Sequence, residues 1–131
     1  MLVDTSVWID YFNGHLSTEA ERLASAIKDD ETIALPGIVW TEILLGLRTE
    51  AEASRIQNLL DAFDTIIDPS HQDYLEAARI YRTCRGKGFT IRSTIDCLIA
   101  QLCLRDNLAL LSKDSDFKRI GQCFPLRLVD F

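Results

Sequence analysis

Carboxylates interrupt the most apolar runs of this chain, and their placement limits what it can fold into. Met1-Leu2-Val3 runs straight into Asp4, and Glu42 breaks Ile38-Val39-Trp40-Thr41-Glu42-Ile43-Leu44-Leu45. Asp96 lies inside Ile95-Asp96-Cys97-Leu98-Ile99-Ala100, and Asp114 and Asp116 follow Leu108-Ala109-Leu110-Leu111-Ser112-Lys113. A carboxylate beside a core element is costly unless a cation meets it. Few basic residues adjoin these positions in sequence, so the simplest counter-charge is a hard divalent cation, which prefers oxygen ligands. The leading expectation is a metal-dependent hydrolytic site.

The stretches between the acids alternate between strand-like and helical patterns. Leu2-Val3 suits a first strand of a parallel sheet. Thr5 or Ser6 can cap a helix carrying Val7, Trp8, Tyr11 and Phe12 and stopping near Asn13-Gly14. Helical spacing predicts a second helix over 18–28, a helix over 38–47 with Pro36 at its first position, and further helices over 50–63 and 71–84. Ser93 or Thr94 caps a helix over 95–105, which puts Asp96 in its first turn, where the helix dipole favours an anion. A short helical segment is expected over 115–120. Further strands are expected over 32–35, 65–67, 108–111 and 126–129. The pattern predicts an α/β domain over residues 1–131, with a mostly parallel five-stranded sheet and helices on both faces. In such sheets ligands collect beyond the carboxyl ends of the strands. Asp4 and Asp114 follow strands directly, and Glu42 and Asp96 lie on helices able to cross the same edge.

A length of 131 residues fits one domain with a real core. No apolar run approaches the ~20 residues of a membrane span, and Asp4 and Asp10 break any signal-peptide core, so a cytoplasmic protein is expected. The four cysteines, at 84, 97, 103 and 123, lack zinc-ligand spacing and read as reduced, mostly buried small hydrophobes. His15 and His71 stand alone, with no triad around them. The net charge of −6 argues weakly against a nucleic-acid partner, because bound cations would invert the sign of the site that matters. Arg82, Arg85, Lys87 and Arg92 in one stretch, and Lys113, Lys118 and Arg119 in another, remain for backbone contacts or as solvated surface charge.

Taken singly, Asp96 reads equally well as a helix-start acid and Asp114 as a loop acid. Glu42 is harder to dismiss, because no Lys or Arg lies three or four residues away on its apolar helix. Two carboxylates ~5 Å apart at an effective dielectric of ~20 repel by about 3 kcal/mol. A crowded set must therefore protonate in part or bind cations. Leu2-Val3-Asp4-Thr5-Ser6-Val7-Trp8-Ile9, Trp40-Thr41-Glu42-Ile43-Leu44-Leu45-Gly46, Ile95-Asp96-Cys97-Leu98-Ile99-Ala100 and Leu111-Ser112-Lys113-Asp114-Ser115-Asp116-Phe117 together resemble the PIN-domain ribonucleases, specifically VapC-type toxins. The resemblance spans nearly the whole chain, with the motifs in the family's order. It implies a Mg²⁺- or Mn²⁺-dependent endoribonuclease from a toxin–antitoxin pair. Asp4, Glu42, Asp96 and Asp114 match its metal-binding acids, and Asp116 an accessory acidic position. Ser112 stands where the family often has Thr, and either hydroxyl can orient a neighbouring carboxylate.

The expected chemistry is metal-assisted phosphodiester hydrolysis of structured RNA, such as tRNA or rRNA loops, leaving 5′ phosphate and 3′ hydroxyl ends. Thr5 and Ser6 are either supports for the acids or helix caps. The resemblance also implies a VapB-like antitoxin. Its expected binding mode is an apolar segment laid against Val7–Phe12, 38–47 and 56–63, with an Arg or Lys inserted among the acids. The helix over 38–47 is apolar on nearly every side, which predicts a second buried surface there: a homodimer contact or the groove of a toxin–antitoxin hetero-oligomer. Two rival readings are a catalytically silent PIN-like binding module and a receiver-type Mg²⁺-binding phosphoacceptor. The receiver wants paired acids after its first strand and a phosphoacceptor Asp after a central strand, which this chain lacks. A haloacid-type phosphatase is disfavoured because Asp4-Thr5-Ser6 is not an Asp-x-Asp nucleophile.

Overall fold

Leu2–Val3 forms strand β1 and pairs in parallel with β2, Leu110–Leu111, placing Leu2 opposite Leu110 and Val3 opposite Leu111. Successive strand residues point to opposite faces, yet Leu2 and Val3 are both fully buried and Leu110 and Leu111 nearly so. Both faces of the sheet are therefore covered, as the uninterrupted apolar runs require. The computed structural model describes residues 1–63 and 67–131. Parallel bridges add one residue at each flank, Leu2 with Ala34 and Leu110 with Leu128. The expected strands over 32–35 and 126–129 thus contribute single bridges instead of full strands, and the expected strand over 65–67 falls largely outside the described residues. The sheet is short because strand-forming runs of two or three apolar residues are cut off by the acids and turns that follow.

Among the described residues, seven helices, α1 (Thr5–Asn13), α2 (Thr18–Lys28), α3 (Gly37–Leu45), α4 (Glu50–Leu60), α5 (His71–Gly86), α6 (Thr94–Asp106) and α7 (Asp116–Gly121), account for most positions. They pack as two groups, α1 with α2 and α3 and then α3 with α4, and α5, α6 and α7 with one another. Ser17, Thr49, Ser70 and Ser93 each accept a backbone N–H at the start of a helix, and Gly14, at φ 71°, ends α1.

Two local expectations are corrected. Asp4, not Thr5 or Ser6, occupies the N-cap position of α1, without a capping hydrogen bond from its side chain. Pro36 is the N-cap of α3 instead of its first helical residue. The core runs from Trp8, stacked on Phe12 at 5.7 Å and meeting Phe63 edge-on at 5.2 Å, to Phe117 and Ile120 of α7. Cys84, Cys97 and Cys103 are buried free thiols and Cys123 is partly buried. Burial pushes Cys84 and Cys103 up to about 12 and Cys97 up to about 11.

A buried ion pair ties α5 to α6. Asp73 is 2% exposed and accepts from the Ser70 backbone N–H at 2.8 Å, from Gln101 at 3.1 Å and from the Arg105 guanidinium. Burial works against the ionised carboxyl, but these donors outweigh it and hold Asp73 below its ordinary range.

Candidate metal centre

The carboxyl ends of the two parallel strands carry the acids, as expected for this architecture. Asp4 follows β1, and its backbone N–H donates to Leu111 of β2 at 2.9 Å. It is buried, and its Oδ2 accepts from Ser6 at 3.1 Å and from Ser112, just beyond β2, at 2.9 Å. Ser112 in turn accepts the Asp114 backbone N–H at 3.0 Å, so one hydroxyl joins two acids from opposite ends of the chain. Burial raises Asp4 above the ordinary carboxylate range; the Ser112 and Ser6 hydroxyls counter it in part, while nearby Asp114 adds to it.

Asp96 enters from the first turn of α6 and is buried beside Asp114 and Asp116. Oxygens of Asp96, Asp114 and Asp116 all lie within 4.8 Å of one another. At an effective dielectric of ~20 each ionised pair at that spacing costs roughly 3–4 kcal/mol. Asp96 carries the strain: burial, a hydrogen bond with Asp114 and the charges of Asp114, Asp4 and Asp116 push it up to about 8. Its Oδ2 is buried with no hydrogen-bond partner among the described residues. A buried acceptor without a donor, facing further carboxylates, fits a cation.

The structure does not bring all five acids into one cluster. Glu42, half-buried on α3, stands outside the trio and accepts from Thr5 Oγ1 at 2.9 Å. Thr5 is thus a support for an acid as well as the first residue of α1. Asp4 is also outside the trio, linked to it through Ser112 and by charge.

Few basic residues adjoin these acids in sequence, and the fold gathers two of them, Arg92 and Arg119, onto Asp116. Its side chain is 1% exposed and accepts from the Arg92 backbone N–H at 3.1 Å, from Arg92 Nε at 3.3 Å and from Arg119 Nη1 at 2.6 Å. Burial opposes ionisation, yet these donors hold Asp116 below its ordinary range. Arg92 is 24 positions away from Asp116 in sequence, which is why reading neighbours missed it.

The PIN domain family matches residues 1–122. Ribonuclease VapC11 of Mycobacterium tuberculosis is 30% identical over 132 residues, covering 100% of this chain and 98% of its own length. This chain belongs to the PIN-domain family, among its VapC ribonucleases. Two solved structures of low sequence identity have the same fold. The VapBC2 complex of Rickettsia felis, bound to a promoter DNA fragment, matches with a TM-score of 0.76 at 22% identity, covering 99% of this chain and 97% of that one. FitAcB of Neisseria gonorrhoeae matches with a TM-score of 0.78 at 19% identity, covering 98% and 96%. The α/β fold expected from the alternation of strands and helices is therefore that of a PIN domain.

Proposed function

We propose that this VapC-family chain is a divalent-metal-dependent endoribonuclease, the toxin of a toxin–antitoxin pair, acting as a single domain over residues 1–131 in the cytoplasm. The observation that carries the reading is the buried, partnerless oxygen on Asp96 beside Asp114, with Asp4 joined to the same edge through Ser112. Asp4, Asp96 and Asp114 are the proposed holders of Mg²⁺ or Mn²⁺, with Glu42 completing the oxygen set and Asp116 adjoining it. The bound ion supplies Lewis-acid activation of the phosphodiester and of the attacking water. The chain's own part is positional. Ser112 fixes Asp4 Oδ2 and the Asp114 backbone, and Thr5 fixes Glu42 Oε1. Asp4 and Glu42 thus each present a set oxygen without having to reorder first.

The likeness to VapBC and FitAB complexes supports a VapB-like partner. A cleft of about 370 Å³ lined by Ile9, Phe12, Ile43 and Leu47 is the proposed seat of its apolar segment. The apolar groove between Ile38, Tyr74, Tyr81, Ile95 and Leu98, about 410 Å³, is the proposed contact between two copies of the chain. No helix among the described residues is long and apolar enough to cross a membrane.

The deciding experiment incubates purified protein with total RNA, with Mg²⁺ or Mn²⁺ or with EDTA, and maps new 5′ ends by sequencing. Cleavage is expected only with metal, at discrete loop sites, and to fall at least about 100-fold in Asp4→Asn and Asp96→Asn. Undiminished cleavage in EDTA, or in either variant, refutes the reading.

A further inference from the structure

The substrate of this site is an anion, and the chain that must receive it carries a net charge of −6. Two guanidinium groups at the rim of the acids offset that repulsion. Arg92 holds Asp116 through its backbone N–H and Nε and reaches Asp114 Oδ1 through Nη2 at 3.4 Å. Its side chain is nevertheless 73% exposed, and Nη1 donates to nothing among the described residues. Arg119 holds the other Asp116 oxygen and Ser115 Oγ through Nη1, is 43% exposed, and likewise keeps Nη2 free of partners among the described residues.

Asp116 itself has little left to offer a cation, because both of its oxygens already accept N–H groups. Lys113, adjacent to Asp114 in sequence, is committed to Asp10 at 2.6 Å. A guanidinium pinned on one edge and open on the other keeps its fork geometry for a phosphate and loses little rotamer freedom on binding.

We propose that Arg92 and Arg119 are positioning residues for the RNA phosphates flanking the acids, and that Asp116 serves by holding these two arginines in place of ligating metal. The proposal rests on the ribonuclease reading for its substrate. It assigns the fifth acid of the motif a different task from the other four.

The test compares wild type with Arg92→Ala, Arg119→Ala, Arg92→Lys, Asp116→Asn and, as a control for the chemistry, Asp96→Asn. Three quantities are measured. Binding of a fluorescein-labelled single-stranded oligouridylate is followed by anisotropy in EDTA at several salt concentrations, Mn²⁺ affinity by electron paramagnetic resonance, and cleavage by steady-state kinetics. Each alanine variant is expected to weaken oligonucleotide binding and raise KM roughly tenfold, with kcat less affected. The slope of log affinity against log salt should fall by about 0.7 for each lost phosphate contact. Mn²⁺ affinity should be no weaker than in wild type.

Arg92→Lys should restore the salt slope but only part of KM. Asp116→Asn should reproduce the loss of oligonucleotide binding and keep Mn²⁺ binding. Unchanged oligonucleotide affinity and KM in both alanine variants overturns the proposal. Lost Mn²⁺ binding in Asp116→Asn with intact oligonucleotide binding also overturns it, by returning Asp116 to the metal. If Asp116→Asn fails to fold, the exposed arginine variants still decide. Cleavage surviving in Asp96→Asn would instead sink the ribonuclease reading, while the metal-free binding measurements continue to report on the arginines.

Discussion

Removing one carboxylate should stabilise this protein when metal is withheld. Asp96 is raised from 3.8 to about 8, chiefly by burial and then by Asp114 and the neighbouring acids. In the unfolded chain the group ionises at neutral pH; in the folded, metal-free chain it keeps its proton. At about pH 7 that difference spans roughly three pH units, or up to about 4 kcal/mol opposing folding. Asp96 and Asp114 share the repulsion, so relief of about half, near 2 kcal/mol, is expected from Asp96→Asn.

For a domain of this length the gain corresponds to a rise in Tm on the order of 6–10 °C. A raised carboxyl pKa gives stability that is complete below the unfolded value of 3.8 and drains away as pH climbs toward about 8. The gap between variant and wild type should therefore be small near pH 4, widen through neutrality and level off above about pH 8. Scanning calorimetry in EDTA across this range reads it directly. Saturating Mg²⁺ should reverse the order, because it stabilises only the chain that binds it. An Asp96→Asn protein that melts several degrees below wild type in EDTA, or a gap that ignores pH, would refute the electrostatic account and make Asp96 a structural acid.

Thr5→Val removes the hydroxyl bonded to Glu42; kcat should drop roughly tenfold with stability within about 1 kcal/mol, checked by kinetics and melting. Arg105→Met leaves Asp73 buried without its guanidinium, so urea denaturation should show a loss of about 3 kcal/mol or more. In wild type, the depressed pKa of Asp73 gives stability that is present above 3.8 and is lost as pH falls through the lower folded value. A thiol reagent should label the native protein at Cys123 at most, since burial holds Cys84, Cys97 and Cys103 far from the thiolate form; mass spectrometry of the labelled peptides decides it.

The alternation of short apolar runs with helical spacing was enough to predict an α/β domain, because both periodicities are local. Ser93 caps α6 as its place before that helical run predicts. The acids were equally visible, since a carboxylate inside an apolar run is anomalous whatever surrounds it. Boundaries were less secure. The helix expected over 38–47 ends at Leu45, and flanking strands shrank to single bridges, because sheet length depends on which partner lies alongside.

Distance across the fold decided the rest. Ser112 reaches Asp4 over 108 positions and Thr5 reaches Glu42 over 37. Neither pairing leaves a mark on its neighbours in the chain. The same holds for Arg92, which reads as a solvated charge until α7 brings Asp116 beside it over 24 positions, whereas Arg119 meets Asp116 one turn along the same helix. Residue type fixes what a side chain can do, and that much is local. Whether a carboxylate meets a proton, a guanidinium or a metal depends on distances of a few ångströms between distant segments, and only the packed chain sets those.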